Sequence, residues 1–214
     1  MSINTKFLLV LLISLGGCTK TDPSLTPLES RLIAEVKMDS AVALKVKSYG
    51  TSLERLMGIT ANDDEVPADG IILNTKPKAG RETLAKVRAQ LIGTPYRAFL
   101  REDSFGYGPD RIAVVNSDEY GYLAIVRTDG INYGIEHEKV VERYKQWNKK
   151  YGLKLIGAGL DWLEAEFINP PGDWTAFAEE VYEFCPDVVE QGTGAVDSLA
   201  KEMKDSNKVY LWWD

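Results

Sequence analysis

The chain of 214 residues has one histidine, His137, and two cysteines, Cys18 and Cys185. Cys18 falls in a leader-like segment treated below, so Cys185 and His137 are the one pairing from which a thiolate nucleophile and its base could be built. Their neighbourhoods oppose that chemistry. Trp174, Phe177, Ala178, Val181, Phe184 and Cys185 share one stripe of a helix that Pro186 must end. The thiol would then be buried at the negative end of the helix dipole, close to Glu183 and Asp187, and each effect disfavours the thiolate. His137 stands between Glu136 and Glu138 in the first turn of another helix, on an edge that reads as exposed. The expectation is a packed core cysteine and a surface histidine.

Other chemistries are weaker still. With so few nitrogen and sulphur ligands a metal would have to be held by carboxylates, and Asn62-Asp63-Asp64-Glu65 lacks the spaced ligands and central glycine of a calcium loop. The segments beginning at Gly157 and Gly192 give G-x-G without the third glycine of a dinucleotide loop, and neither is followed by G-K-[ST]. No cofactor is therefore expected. Asp161, Glu164, Glu166, Asp187 and Asp214 are carboxylates enough for a paired acid and base. Glu164 and Glu166, however, alternate with Leu163, Ala165 and Phe167 and read as the solvated side of a strand. The polar residues that remain, Asn132, Tyr133, Asp187, Gln191 and Asp214, are the candidates for a shared pocket, set against ordinary loop and cap hydrogen bonding.

The elements that must position these groups follow from periodicity. Leu28, Leu32 and Val36 fit a helix, Val42, Leu44 and Val46 alternate as in a strand, and Ala61 to Gly70 reads as an acidic loop. Strands are expected at Gly70 to Thr75, Tyr96 to Arg101 and Arg111 to Val115, with a helix from Arg81 to Ile92 and another from Ser117 to Thr128 capped by Ser117. The clearest helix runs from Glu136 to Tyr151, with Val140, Tyr144, Trp147 and Tyr151 as its apolar stripe and Gly152 as its stop. Two strands broken at Gly157-Ala158-Gly159, a helix from Asp173, a helix through Val196, Leu199, Ala200 and Met203, and a strand from Lys208 to Trp213 complete the chain. Burying one tryptophan removes ~200 Å² from water, an upper bound of roughly 5 kcal/mol, so the final strand should be an inner one with Val209, Leu211 and Trp213 on one face. Strands and helices mix without strict alternation, which predicts an α+β fold with a mixed or mainly antiparallel sheet in a single domain.

Residues 1–17 combine a lysine, an apolar run from Phe7 to Ile13 and small residues, the pattern of a secretory signal too short to span a bilayer. Leu15-Gly16-Gly17-Cys18 resembles the lipobox of bacterial lipoproteins, in which the cysteine carries diacylglycerol and becomes the mature N-terminus. Residues 18–27 then read as a lipidated tether, residues 28–104 as the N-terminal part of the domain and residues 105–214 as its C-terminal core. By the same resemblance, Thr19 in place of aspartate points to the outer membrane of a Gram-negative envelope, on its periplasmic face or surface. Removing residues 1–17 takes away one lysine, so the formal charge moves from −7 to −8. That balance argues against nucleic acid as a partner and against a polybasic membrane helix.

Phe184-Cys185-Pro186-Asp187, then Gln191-Gly192, then Leu211-Trp212-Trp213-Asp214 resemble the bacterial family catalogued as domain of unknown function 4253. Thr128, Gly130, Asn132 and Tyr133 also look like that family's pattern, and the likeness covers roughly residues 105–214. It implies a bacterial α+β domain and no stated activity. The resulting expectation is a membrane-anchored lipoprotein whose domain binds a protein partner in the manner of an inhibitor or immunity protein. The alternatives are a hydrolase using Cys185 or a carboxylate pair, and an envelope structural component.

Overall fold

The computed structural model describes residues 24–214. The expected leader at residues 1–17 and lipid site at Cys18 lie outside the described residues, as does most of the tether. The tether ends inside the fold. Thr26 caps the first helix, α1 (Pro27–Glu35), in a reciprocal box with Glu29, and Pro27 occupies the first turn where its missing N–H costs nothing.

Helix α2 (Ser40–Lys47) covers the residues that alternate as if in a strand. The reason is Asp39, whose carboxylate accepts the amides of Ala41 at 2.8 Å and Val42 at 2.9 Å and so starts a helix where the apolar spacing alone is ambiguous. Glu29 ties the two helices to the sheet. Its carboxylate is buried and accepts the Leu53 amide at 2.9 Å, the Thr26 amide at 2.7 Å and the Lys47 ammonium. Burial pushes this carboxyl up, but Lys47 and the two amides outweigh it and hold it down to about 2.

The next elements are β1 (Ser52–Ile59), β2 (Glu65–Asn74), α3 (Gly80–Gln90), β3 (Arg97–Glu102), β4 (Arg111–Val115) and α4 (Glu119–Val126). There follow α5 (His137–Tyr151), β5 (Leu153–Ala158), β6 (Trp162–Phe167), α6 (Trp174–Phe184), α7 (Val196–Ser206) and β7 (Lys208–Trp212). Strand β2 starts inside the acidic segment expected to be a loop, because Glu65, Val66 and Pro67 pair with Ile59, Gly58 and Met57 of β1. Asp118, not Ser117, caps α4, accepting the Gly121 amide at 2.9 Å.

Among the described residues the seven strands form one sheet in the order β1-β2-β4-β3-β5-β6-β7. Every neighbouring pair is antiparallel except β3 and β5, which confirms the α+β class. Alternation along the strands feeds two cores. Ile71, Leu73, Leu100, Ile112 and Val114 pack under α1, α2 and α3, while Ile72, Phe99, Ala113, Leu155, Leu163 and Leu211 pack under α4 to α7. Strand β7 lies at the sheet edge, so the final strand is not an inner one. Its faces are as the spacing indicates, with Val209, Leu211 and Trp213 buried and Tyr210 exposed. The other face needs no second layer because Tyr210 stacks on Trp162 at 6.1 Å and Trp212 pairs with Trp162 across the strands.

Candidate functional site

The end of α6 and the end of β7 meet. Helix α6 is opened by Asp173, which accepts the Ala176 amide, and it closes at Cys185 because Pro186 has no N–H to continue the ladder. The Cys185 thiol donates to the Trp212 carbonyl at 2.9 Å, and its sulphur accepts the Trp212 amide at 3.3 Å. Two residues on, the Asp187 carboxylate accepts the Asp214 amide at 2.8 Å. Trp213, between these two, instead turns its amide to the Asp161 carbonyl next to β6. Cys185 and Asp187 therefore occupy the outward hydrogen-bonding positions that a further strand would take beside β7.

Asp187 gathers more than the chain end. Its other oxygen accepts the Tyr133 hydroxyl at 2.5 Å and the Gln191 amide at 2.8 Å, and the residue is 1% exposed. Burial pushes the carboxyl up, but bonds from Tyr133, the Asp214 amide and Gln191 outweigh it and hold it below the ordinary aspartate value. The same bond to Asp187 pushes the Tyr133 phenol up to about 12. Four of the five polar residues singled out from sequence thus share one knot. Asn132 is exposed and forms no bond to it among the described residues.

Tyr133 is placed by a tight loop. A 3₁₀ turn at Ile131–Tyr133 sits between Gly130 and Ile135, whose backbones bond reciprocally. The loop is pinned to the turn between β5 and β6 by Thr128 Oγ1 on the Gly159 carbonyl at 2.6 Å and by the Asp129 amide on the Leu160 carbonyl. Gly130 lies flat against the Trp213 indole, where an added Cβ would fall 2.7 Å from the ring.

No hydrogen bond joins Cys185 to His137 among the described residues. His137 is buried, not exposed, and its Nδ1 lies 3.1 Å from the Thr128 carbonyl, so the proton on that nitrogen is the one donated. Burial lowers its pKa. Burial, followed by the nearby Asp187 charge, pushes the Cys185 thiol up to about 12 despite the bond to Trp212. Glu164 is likewise not on a solvated face: it is buried and clamped by Arg81 at 2.7 Å and Lys208 at 3.2 Å, while Glu166 remains exposed. Among the described residues no group of three or more His, Cys, Asp or Glu is arranged to hold a metal ion.

Beside the knot runs a groove of about 540 Å³ between α5 and the α6 terminus, lined by Tyr133, Ile135, Lys139, Arg143, Phe184 and Pro186 among others. The Arg143 guanidinium lies 5.1 Å from the Phe184 ring centroid and 5.6 Å from that of Trp147. It is half-buried and forms no side-chain hydrogen bond or ion pair among the described residues, and Glu142 and Glu183 line the same groove. Sequence reasoning passed over Arg143, although its spacing four residues before Trp147 on a strongly striped helix is a signal for an arginine held against an aromatic ring.

Fold and site together define an α+β domain whose C-terminal strand is fastened by a cysteine, an aspartate and a tyrosine-bearing loop. Residues 111–214 match the family model described as Domain of unknown function (DUF4253), just under half of the chain, and that span includes every member of the knot. No curated protein and no solved structure matches the chain.

Proposed function

We propose that the chain is a bacterial lipoprotein, held at the envelope membrane by lipid on Cys18, whose α+β domain binds a protein partner in the manner of an inhibitor or immunity protein and performs no covalent chemistry. The observation that carries this reading is the occupation of the reactive groups: the Cys185 thiol is buried on the Trp212 backbone and His137 on the Thr128 carbonyl. A hydrolase built on Cys185 would have to break that contact and ionise a thiol whose pKa stands at about 12. What stays available is the groove beside the knot, where Arg143 presents planar donors next to apolar Ile135 and Phe184. A partner carboxylate flanked by an apolar side chain suits such a surface. Among the described residues no helix is long and apolar enough to cross a membrane, so attachment in this reading rests on the acyl chains.

The test uses the full chain expressed in a bacterial host and affinity capture from envelope extracts. Cys18→Ala should move the protein from the membrane to the soluble fraction. Partners captured by the parent chain should be lost in Arg143→Glu and kept in Cys185→Ser, each variant having its folding checked by circular dichroism. Retention of Cys18→Ala at the membrane removes the anchor. Partner capture indifferent to Arg143 removes the groove as the binding surface.

A further inference from the structure

The described chain begins at Ser24, and its first helix fixes where that start lies. Glu29 of α1 holds the Leu53 amide at the start of β1, and from there Ser52, Asn74, Arg111 and Glu102 stand in register across β1, β2, β4 and β3. The chain therefore enters at the end of the sheet where β3 turns into β4, three strand spacings or ~15 Å from that turn. Cys18 lies six residues before Ser24, a reach of ~20 Å at full extension. A folded domain of about 190 residues is ~40 Å across, so with lipid on Cys18 the opposite end of the sheet cannot be turned to the membrane.

The end that faces the membrane carries exposed apolar side chains. Leu28, in the first turn of α1, is 80% exposed, and Phe105 and Tyr107, on the loop from β3 to β4, are 72% and 97% exposed. That loop is built and not slack. Buried Asp110 accepts the Ser104 amide at 3.0 Å and the Gly80 amide at 2.8 Å, Asp103 accepts the Phe105 amide at 3.1 Å, and the stem of Lys78 lies where a Cβ on Gly106 would stand. Phe105 has a φ of 52°, in the left-handed region that a bulky side chain avoids. Folding gains nothing from a strained, solvent-facing phenylalanine, and a contact outside the fold accounts for it. Charge does not oppose that contact, because Lys76, Lys78, Arg81 and Arg111 balance Glu54, Glu102, Asp103 and Asp110 in a chain of formal charge −7. Arg81 lies 3.3 Å from Asp103, and Arg111 lies 3.3 Å from Glu54 and 3.5 Å from Glu102, while Lys76 and Lys78 are exposed and form no ion pair among the described residues. Towards β6 and β7 the same end is acidic, since exposed Ile131 and Leu160 stand beside Asp129, Asp161 and Asp214.

We propose that Leu28, Phe105 and Tyr107 dock this end of the sheet onto the phospholipid surface that holds the anchor, with the aromatic rings at headgroup depth and Lys76 and Lys78 beside them at the phosphates. Tyrosine suits that depth because its ring is apolar and its hydroxyl stays wet. The docking rests on the lipid at Cys18 proposed above, which brings the membrane within reach of the loop.

The test places a nitrobenzoxadiazole dye on Pro109→Cys, in the same loop, or on Ile92→Cys, exposed after α3 at the opposite end of the sheet; lipid covers Cys18 and burial protects Cys185. The full lipidated chain is reconstituted in phosphatidylcholine vesicles with and without a phospholipid doxyl-labelled near its headgroup. The quencher should dim the dye at Pro109 and leave the dye at Ile92 at its full intensity. Phe105→Asn combined with Tyr107→Ser should restore the Pro109 dye to full intensity and leave the urea midpoint unchanged or higher, since asparagine accepts the left-handed backbone. A lowered midpoint would mean that these side chains serve the fold, and equal quenching at the two dye positions in an acylated chain would refute the docking alone. Mass spectrometry of Cys18 reads the anchor separately, and a chain without acyl groups there refutes the anchor and the docking with it. Loss of captured protein partners in the double variant, with quenching unchanged, would assign the loop to a protein and overturn the proposal.

Discussion

At Cys185 two backbone groups of Trp212 share one sulphur, and that contact sets the reactivity of the residue. A buried thiol with a pKa of about 12 offers almost no thiolate at neutral pH. In the Cys18→Ala chain, an aromatic disulfide reagent at pH 8 should leave Cys185 unlabelled until denaturant is added. Stoichiometric labelling of the native protein would contradict the assignment. The burial of Cys185 was legible in the spacing of Phe177, Val181 and Phe184, but its partner was not, because backbone groups 27 residues away carry no side-chain signature. His137 was misjudged from its flanking glutamates. Its spacing to Val140, Tyr144, Trp147 and Tyr151 places it on the buried stripe of α5, and that periodicity was the better guide.

Among the elements, β7 shows how a strand rich in tryptophan settles at an edge. Both faces are apolar, which suggested an inner position, yet the second face is covered by Trp162 from the neighbouring strand and not by another layer. Only topology distinguishes those solutions, and topology is not written in local spacing. The buried face depends on the close approach of Gly130 to Trp213. Gly130→Ala should cost ~1–3 kcal/mol by overpacking, and Trp213→Ala ~3–5 kcal/mol by opening a cavity. Combined, the two changes should cost well below their sum, because the added methyl enters the space the indole leaves, a coupling readable from a urea-denaturation cycle. Strict additivity would mean that the ring and the loop do not touch. For α2 the ambiguity was resolvable, since Asp39 immediately before Ser40 is a helix start signal that outweighs three alternating apolar residues.

Across the whole molecule, the segment matching the family model is interlocked with the segment before it. Strand β4 lies between β2 and β3, both contributed by residues upstream of the match, so residues 28–104 and 105–214 build one sheet and not two domains. Helix α3 reinforces the seam, with Arg81 reaching Glu164 on β6 and Arg88 reaching the β5 carbonyls. The acid limb of stability should come in part from Glu29. Its folded pKa, about 2, lies below the ordinary value of 4.5, so protonation favours the unfolded chain. The stabilisation is therefore complete above about pH 4.5 and is lost as pH falls towards 2; Asp187, also lowered, acts in the same direction. Denaturation series should show the parent chain losing more stability than Glu29→Gln between pH 5 and pH 2.5, and parallel curves for the two would refute the role given to this carboxylate.

The fastening of β7 has a consequence for how copies of this chain meet one another. A sheet edge with free amides and carbonyls is a template on which further strands can grow. Here the outward amide and carbonyl of Trp212 are taken by sulphur, and the Asp214 amide is taken by the Asp187 carboxylate. The outward positions left are Lys208 and Tyr210, too short a run to seed a ladder. The knot around Asp187 is in this sense an end-stop for strand addition, set beside the paired tryptophans that close the chain.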